Sequence, residues 1–247
     1  MTAPLFFVDP ARLHGLTIGS VLVLDGPEGR HAATVRRLGA GEAVLVADGT
    51  GTRAHAVVES VQRDELTLRL ASLEQVPRPD PRFVLVQALA KGDRDEQAIE
   101  SATELGVDEV VPWQAARSVV VWRGDRAAKA HRKWQSVVQA ATKQSRRAIT
   151  PAVSELASSR GVVRRITESA LALVLHEEAA TPLASVALPA HGDVLVVVGP
   201  EGGISPEELT AFVDAGAVSV RLDEHVLRSS SAGPAALAVL SAAARWR

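Results

Sequence analysis

Val196-Val197-Val198-Gly199-Pro200-Glu201-Gly202-Gly203-Ile204-Ser205 is the stretch on which the fold turns. With Val194-Leu195 before it, the apolar run is continuous, the pattern of a strand buried on both faces of a parallel sheet. A glycine-rich turn follows. Ser205-Pro206-Glu207-Glu208 then opens a helix, with serine as N-cap, proline at N1 and an acid at N3. In open α/β sheets ligands settle at the carboxyl ends of strands, and glycines let a ligand approach the backbone. No Gly-Lys-Ser/Thr follows, so the turn is not a P-loop, and the spacing is not the G-x-G-x-x-G of a dinucleotide fold. Two other strand ends resemble it. Leu173-Val174-Leu175-His176-Glu177-Glu178 ends a buried run with polar groups, and Leu222-Asp223-Glu224-His225-Val226-Leu227-Arg228-Ser229-Ser230-Ser231 ends another with an arginine and three serines.

Outward from these ends, strands and helices alternate. Phe83 to Ala88, Glu109 to Pro112, Ala170 to Leu175 and Val218 to Leu222 read as strands. Glu96 to Leu105, about Arg126 to Ser145, and Pro234 to Ala244 read as helices. Such alternation implies a sheet covered by helices. The first 75 residues differ in texture. Short runs at Val21–Leu24, Ala43–Ala47, Ala54–Val61 and Leu66–Leu70 are divided by Gly and Asp turn signals, with one short helix expected over Glu28–Arg37. Closely spaced strands of this kind predict a small barrel. Val76-Pro77-Arg78-Pro79-Asp80-Pro81 holds three prolines in six residues, a stiff linker. We therefore expect a domain over 1–75 and a second over 76–247.

Composition excludes several classes. The chain of 247 residues has no cysteine, which removes disulfides, thiolate metal sites and cysteine nucleophiles. It has no tyrosine and only 3% aromatics, so a sheet that stacks RNA bases on a row of aromatics is not expected. No apolar run approaches ~18 residues, and no secretory signal pattern opens the chain, so a soluble cytoplasmic protein without a membrane role is expected. The net charge of −2 hides a block over 117–147 with nine basic residues and the single acid Asp125, a surface suited to a polyanion.

The pairing of Gly199-Pro200-Glu201-Gly202-Gly203 with Val226-Leu227-Arg228 resembles the SPOUT class of trefoil-knotted methyltransferases. More narrowly, the chain resembles the RsmE family, the 16S ribosomal RNA uridine-N3 methyltransferases. Lys91-Gly92-Asp93-Arg94, Ala102-Thr103-Glu104-Leu105-Gly106-Val107, Arg117-Ser118-Val119, Lys133-Trp134, Gln144-Ser145 with Arg147 and Pro151, and His31 through Val35 to Arg37 all fit family elements in order. The chain departs from the family pattern at His225, where arginine is usual, and at Ser229-Ser230-Ser231, where a Thr-Glu-Thr-like run is usual. It departs also at Leu5 and Arg30.

The resemblance implies a PUA-like β-barrel for RNA, then a SPOUT-type trefoil-knotted parallel-sheet α/β domain that binds S-adenosylmethionine and forms a homodimer. It implies cofactor residues Leu175, His176, Glu177, Gly199, Pro200, Glu201, Gly202, Gly203, Leu222, Val226, Leu227, Arg228, Ser230 and Ser231. Arg228 is the expected catalytic residue, a guanidinium that stabilises charge on the uracil ring; no metal is needed. His176, Glu177, Glu201 and water are the candidate proton acceptors. Arg12, His31, Arg36, Arg37, Lys91, Arg94, Arg117 and Arg147 are the expected contacts to 16S rRNA or the 30S subunit. Two other readings stand beside this one: a knotted methyltransferase acting on another RNA, and a non-catalytic RNA-binding ribosome-assembly protein.

Overall fold

A computed structural model describes residues 3–246 of the chain. They form two compact units, one of Met1–Arg78 with Thr142–Thr150, the other of Pro79–Ala141 with Pro151–Arg247. The prolines after Val76 mark the passage from one to the other. The return of 142–150 to the first unit had no sign in the sequence, because a tertiary docking leaves no local pattern.

The first unit contains β1 (Leu5–Phe7), β2 (Val21–Leu24), the short helix α1 (Gly26–Arg30), β3 (Ala43–Ala47), β4 (Thr52–Gln62) and β5 (Glu65–Gln75). The ladder runs β1-β3-β4-β5-β2, with β1 parallel to β3 and the other pairs antiparallel. Alternation in β5 puts Leu66, Leu68 and Leu70 inward, where they meet Phe6, Leu22, Leu24, Val44, Val46 and Val58. Each such buried aliphatic side chain contributes about 1.5–3 kcal/mol. The helix expected over Glu28–Arg37 is α1 continued by one wider, π-type turn over His31–Val35. Register shifts in the β4–β5 pairing, between His55 and Ala56 and between Val58 and Ser60, bend this hairpin.

The second unit contains β6 (Arg82–Ala88), α2 (Arg94–Glu104), β7 (Glu109–Gln114), α3 (Asp125–Gln144, whose last residues lie in the first unit), β8 (Ala152–Val153), β9 (Ala157–Ser158), α4 (Ser159–Glu168), β10 (Leu171–Leu175), β11 (Thr181–Pro182), β12 (Asp193–Val198), α5 (Pro206–Asp214), β13 (Val218–Arg221) and α6 (Ser229–Ala244). The eight strands form one parallel sheet in the order β11-β13-β10-β12-β6-β7-β8, with β9 beside β7. Successive residues of β6 face opposite layers. Phe83 and Leu85 pack with Ile99 of α2 and Leu237 and Leu240 of α6. Val84 and Val86 pack on the other side, with Val162 of α4 and Phe212 of α5. That double burial is why these strands read as continuous apolar runs.

The strand order has one consequence for function. β13, β10 and β12 are neighbours and all point the same way. Their carboxyl ends, at Arg221, Leu175 and Val198, therefore release three loops side by side. No helix among the described residues is long and apolar enough to cross a membrane.

Candidate active site

The loop after β12 is fixed locally. Its turn closes with the Gly203 amide donating to the Pro200 carbonyl at 2.9 Å, and Gly203 sits at φ +73°, a conformation that favours glycine. Gly199 is held by contact instead, since a Cβ there would meet Ile204 Cγ1 at 2.7 Å. Downstream, α5 begins in a complete capping box: the Glu208 amide donates to Ser205 Oγ, and the Ser205 amide donates back to the Glu208 carboxylate. Glu208 is buried. Its carboxylate also accepts from the Ala116 amide at 2.8 Å and from Ser159 Oγ at 2.5 Å, and Ser159 Oγ accepts from Trp113 Nε1. The segment after β7 is thus pinned beside the turn, where Arg117 Nη1 donates to the Gly202 carbonyl at 3.1 Å.

Together the three loops and the start of α6 enclose a cavity of about 350 Å³. Its apolar wall is Leu175, Val198, Ile204, Val226, Leu227 and Ala232; its polar groups are Arg94, His176, Glu177, Glu201, Arg228 and Ser229, with the backbone of Gly199, Pro200 and Gly203. A smaller recess of about 80 Å³ adjoins it and adds Leu222 and His225.

Of the cofactor residues expected from sequence, Leu175, His176, Glu177, Gly199, Pro200, Glu201, Gly203, Val226, Leu227 and Arg228 line the cavity, and Leu222 the recess. Gly202, Ser230 and Ser231 line neither. Gly202 instead faces Arg117, whose Cβ a methyl on Gly202 would meet at 3.2 Å. The three serines form the first turn of α6, which starts five residues before the expected Pro234 and carries that proline inside it. This shift brings Ser229 to the cavity. Val198, Ile204, Ala232 and Arg94 are lining residues that motif reading did not assign to the donor; Val198 ends β12, Ile204 follows its turn, and Arg94 is the arginine of the K-G-D-R run.

Electrostatics separate the candidates. Glu201 accepts from the Lys91 amide at 3.0 Å and from Arg94 Nη1 at 3.2 Å. Burial works to raise the Glu201 carboxyl, but these hydrogen bonds and that of its own amide outweigh it and hold the group below the ordinary carboxylate range. The Glu201 carboxylate is therefore held as an anion by the Lys91 amide and Arg94. His176 Nδ1 accepts from the Glu178 amide at 3.2 Å, so that lone pair is engaged. The Glu177 carboxylate is exposed and makes no hydrogen bond or ion pair among the described residues. Arg228 is exposed and makes no salt bridge among the described residues, which leaves its guanidinium available.

The expected RNA contacts divide between the units. In the first, Arg36 and Arg37 are exposed, whereas Arg12 Nη1 binds Asp25 at 2.6 Å and Arg12 Nη2 also donates to the Val23 carbonyl. His31 Nδ1 lies 3.1 Å from Lys143 Nζ, which also pairs with Glu28 at 2.6 Å, and Arg147 is half-buried. In the second, Lys91 is exposed, while Arg94 and Arg117 are tied to the Gly199–Gly203 turn as described.

Comparison with known proteins decides the family. Residues 77–241 match the family described as RNA methyltransferase domain, and residues 24–71 match the RNA methyltransferase PUA domain. The ribosomal RNA small subunit methyltransferase E of Mycobacterium bovis is 46% identical over 100% of this chain and 94% of its own length. The chain belongs to the RsmE family. The Bacillus subtilis member is 28% identical, with 88% of each chain covered. Among solved structures, a methyltransferase of Legionella pneumophila in complex with bound cofactor SAM is 28% identical, with a TM-score of 0.83 and 98% of each chain covered. An RsmE of Neisseria gonorrhoeae bound to S-adenosyl methionine is 25% identical, with the same score and coverage. The expected SPOUT-type parallel α/β domain preceded by a PUA-like β unit is the fold of this RsmE chain.

Proposed function

We propose that this chain methylates N3 of a uridine in the 16S rRNA of the small ribosomal subunit, with S-adenosylmethionine as methyl donor. The observation that carries the reading is the convergence of three adjacent strand-end loops on one cavity with a free arginine, Arg228, at its edge. The cavity fits the donor. Its size lies within the usual range for ligand sites, ~300–1,000 Å³. Its apolar wall suits a nucleoside, and buried Ser229 Oγ has no hydrogen-bond partner among the described residues, a polar group that a ligand would satisfy.

Bound there, S-adenosylmethionine supplies an electrophilic methyl group on a cationic sulfur, so no metal is required. The chain's part is positioning and charge. Buried Val198 and Ile204, with half-buried Leu175, keep water from part of the cavity wall; the Gly199–Gly203 turn, held by Arg117, Arg94 and Glu208, would hold the donor. Uracil N3 must lose its proton before it attacks, and negative charge then builds on the ring oxygens. Arg228 would stabilise that charge with its guanidinium. With Glu201 held by Arg94 and His176 Nδ1 engaged, Glu177 is the carboxylate left to accept the proton, directly or through water.

Exposed Arg36 and Arg37 of the first unit and Lys91 of the second serve as phosphate contacts, and Arg147, His31 and Arg12 are further RNA contacts of the first unit. Arg94 and Arg117 act chiefly on the donor turn. A trefoil knot formed by the three loops, a homodimer and a cytoplasmic location complete the proposal. Exposed Val226, 76% accessible, supports the dimer, since a partner subunit would cover it. Incubation with labelled donor and 30S particles that lack the modification tests the function, and methyl label on a uridine base is expected.

A further inference from the structure

A second cavity lies toward the β8 edge of the parallel sheet and shares no residue with the donor cavity. Three strand steps of ~4.8 Å, about 14 Å in all, part β12 from β8. The cavity measures about 350 Å³, as large as the first, and opens between α3 and the link from β8 to β9. Ala127, Ala128, His131 and Arg132 line it from one face of α3, as spacings of three and four require. Glu155 and Leu156 line it from the link, and Trp122 adds an aromatic wall. Two contacts fix these parts. Trp122 meets Trp134 edge to face, with ring centroids 5.4 Å apart. His131 Nε2 lies 3.0 Å from the Ser154 carbonyl and 3.3 Å from that of Val153. A carbonyl can only accept, so Nε2 carries a proton and the bond ties α3 to the link.

Two opposite charges line this cavity without pairing. Arg132 and Glu155 are exposed, and neither side chain makes a hydrogen bond or salt bridge among the described residues. Nearby Arg123, Arg126 and Lys129 are exposed as well, and none has a carboxylate partner among the described residues. We propose that the cavity is a subsite for an unpaired guanine of the RNA substrate, distinct from the uridine that is methylated. It rests on the methyltransferase reading for the RNA alone; the base is named by the cavity's own groups. Guanine offers a guanidinium the acceptors O6 and N7. Its N1–H and N2 amino group are neighbouring donors, and a carboxylate can only accept. No other base presents both pairs side by side. Trp122 and Leu156 supply apolar contact for the flat ring. Arg123, Arg126 and Lys129 suit the phosphates beside it, and unpaired bases are those whose edges a protein can read in RNA.

Saturation-transfer NMR titrations of the whole protein with the 5′-monophosphates of guanosine, adenosine, cytidine and uridine test the subsite, with S-adenosylmethionine present to occupy the donor cavity. The guanosine nucleotide should bind about 5- to 150-fold more tightly than the other three. Glu155→Gln should erase that preference, because an amide puts a donor where the carboxylate has an acceptor. Arg132→Ala should weaken the guanosine nucleotide to a similar degree. Both side chains are exposed and unpartnered among the described residues, so the variants keep the fold, and melting curves check it. Equal binding of all four nucleotides, no binding, or a preference that outlives Glu155→Gln overturns the subsite. Methylation of unmodified 30S particles then places the guanine in RNA. Glu155→Gln should raise the KM for particles about 5- to 150-fold with kcat and donor affinity kept. An unchanged KM would mean a free guanine nucleotide as occupant and overturn the assignment to RNA. A wild-type protein that takes the guanosine nucleotide but methylates no particle would defeat the methyltransferase reading and leave the guanine cavity standing.

Discussion

Arg228 and Glu201 are both charged and both at the cavity, yet their surroundings give them different work. Arg228 has no anionic partner among the described residues, so its charge is available to a substrate; Glu201 has two donors, so its charge is spent on holding the turn. Arg228→Ala should therefore lower kcat by roughly 10²–10³-fold, the usual cost of losing one preorganised donor to a developing oxyanion, with donor affinity within a few-fold. A near-normal rate would remove Arg228 from the chemistry. Glu201→Gln should do the reverse: weaker donor binding by calorimetry, because the Lys91 amide and Arg94 lose a charged acceptor, with a smaller effect on the rate of bound complexes. The family motif made both residues legible. It could not tell their roles apart, because those depend on Arg94 and Lys91, about 110 positions upstream.

At the scale of elements, close packing sets what the sequence tolerates. Gly233 lies in α6 where the helix crosses the sheet, and a Cβ there would meet Leu85 Cδ1 at 2.9 Å and Cδ2 at 3.3 Å. Gly233→Ala should destabilise the second unit by about 1–3 kcal/mol, the usual cost of overpacking, seen as a lower denaturant midpoint. In the first unit, burial and then the neighbouring Lys143 and Arg36 hold the His31 imidazole below its ordinary value, with Glu28 opposing. The folded unit thus favours the neutral ring. This penalty on the protonated ring is absent well above about 6.5, and stability falls as the pH drops through that value toward the lower folded one. Melting curves between pH 8 and 5 should show the decline, and His31→Gln should flatten it. The long strands were legible because double burial writes continuous apolar runs. α4 was not: Gly161 and the β-branched pair Val162-Val163 argue against a helix, and only Val162 and Ile166 are buried. β1 spans three residues, too few to show a period. Pro234 marked the start of α6 falsely, because proline is a common first-turn residue and the serines before it resemble a loop.

At the scale of the molecule, two units with different texture divide the labour: a five-stranded unit with exposed arginines, and a parallel sheet with the cavity at its carboxyl edge. Phosphate contacts make RNA affinity salt-dependent. The double variant Arg36→Ala/Arg37→Ala should weaken binding to 16S rRNA and reduce the slope of log affinity against log salt by about 0.7–0.9 for each phosphate left without its arginine, with no change in donor affinity. An unchanged slope would take these two residues off the RNA surface. Architecture at this scale was largely legible, since the proline-rich linker and the change of strand spacing announce two units. The docking of 142–150 on the first unit was not, for it arises from tertiary packing alone.

Methyl transfer to a ring nitrogen of ribosomal RNA is the central claim. Mass mapping of 16S rRNA from unmodified 30S particles, after incubation with the protein and labelled S-adenosylmethionine, tests it most directly. One labelled methyl group on N3 of a uridine is predicted, and it should form roughly 10²–10³-fold more slowly with Arg228→Ala. Label on another base, on ribose, or on none would contradict the claim.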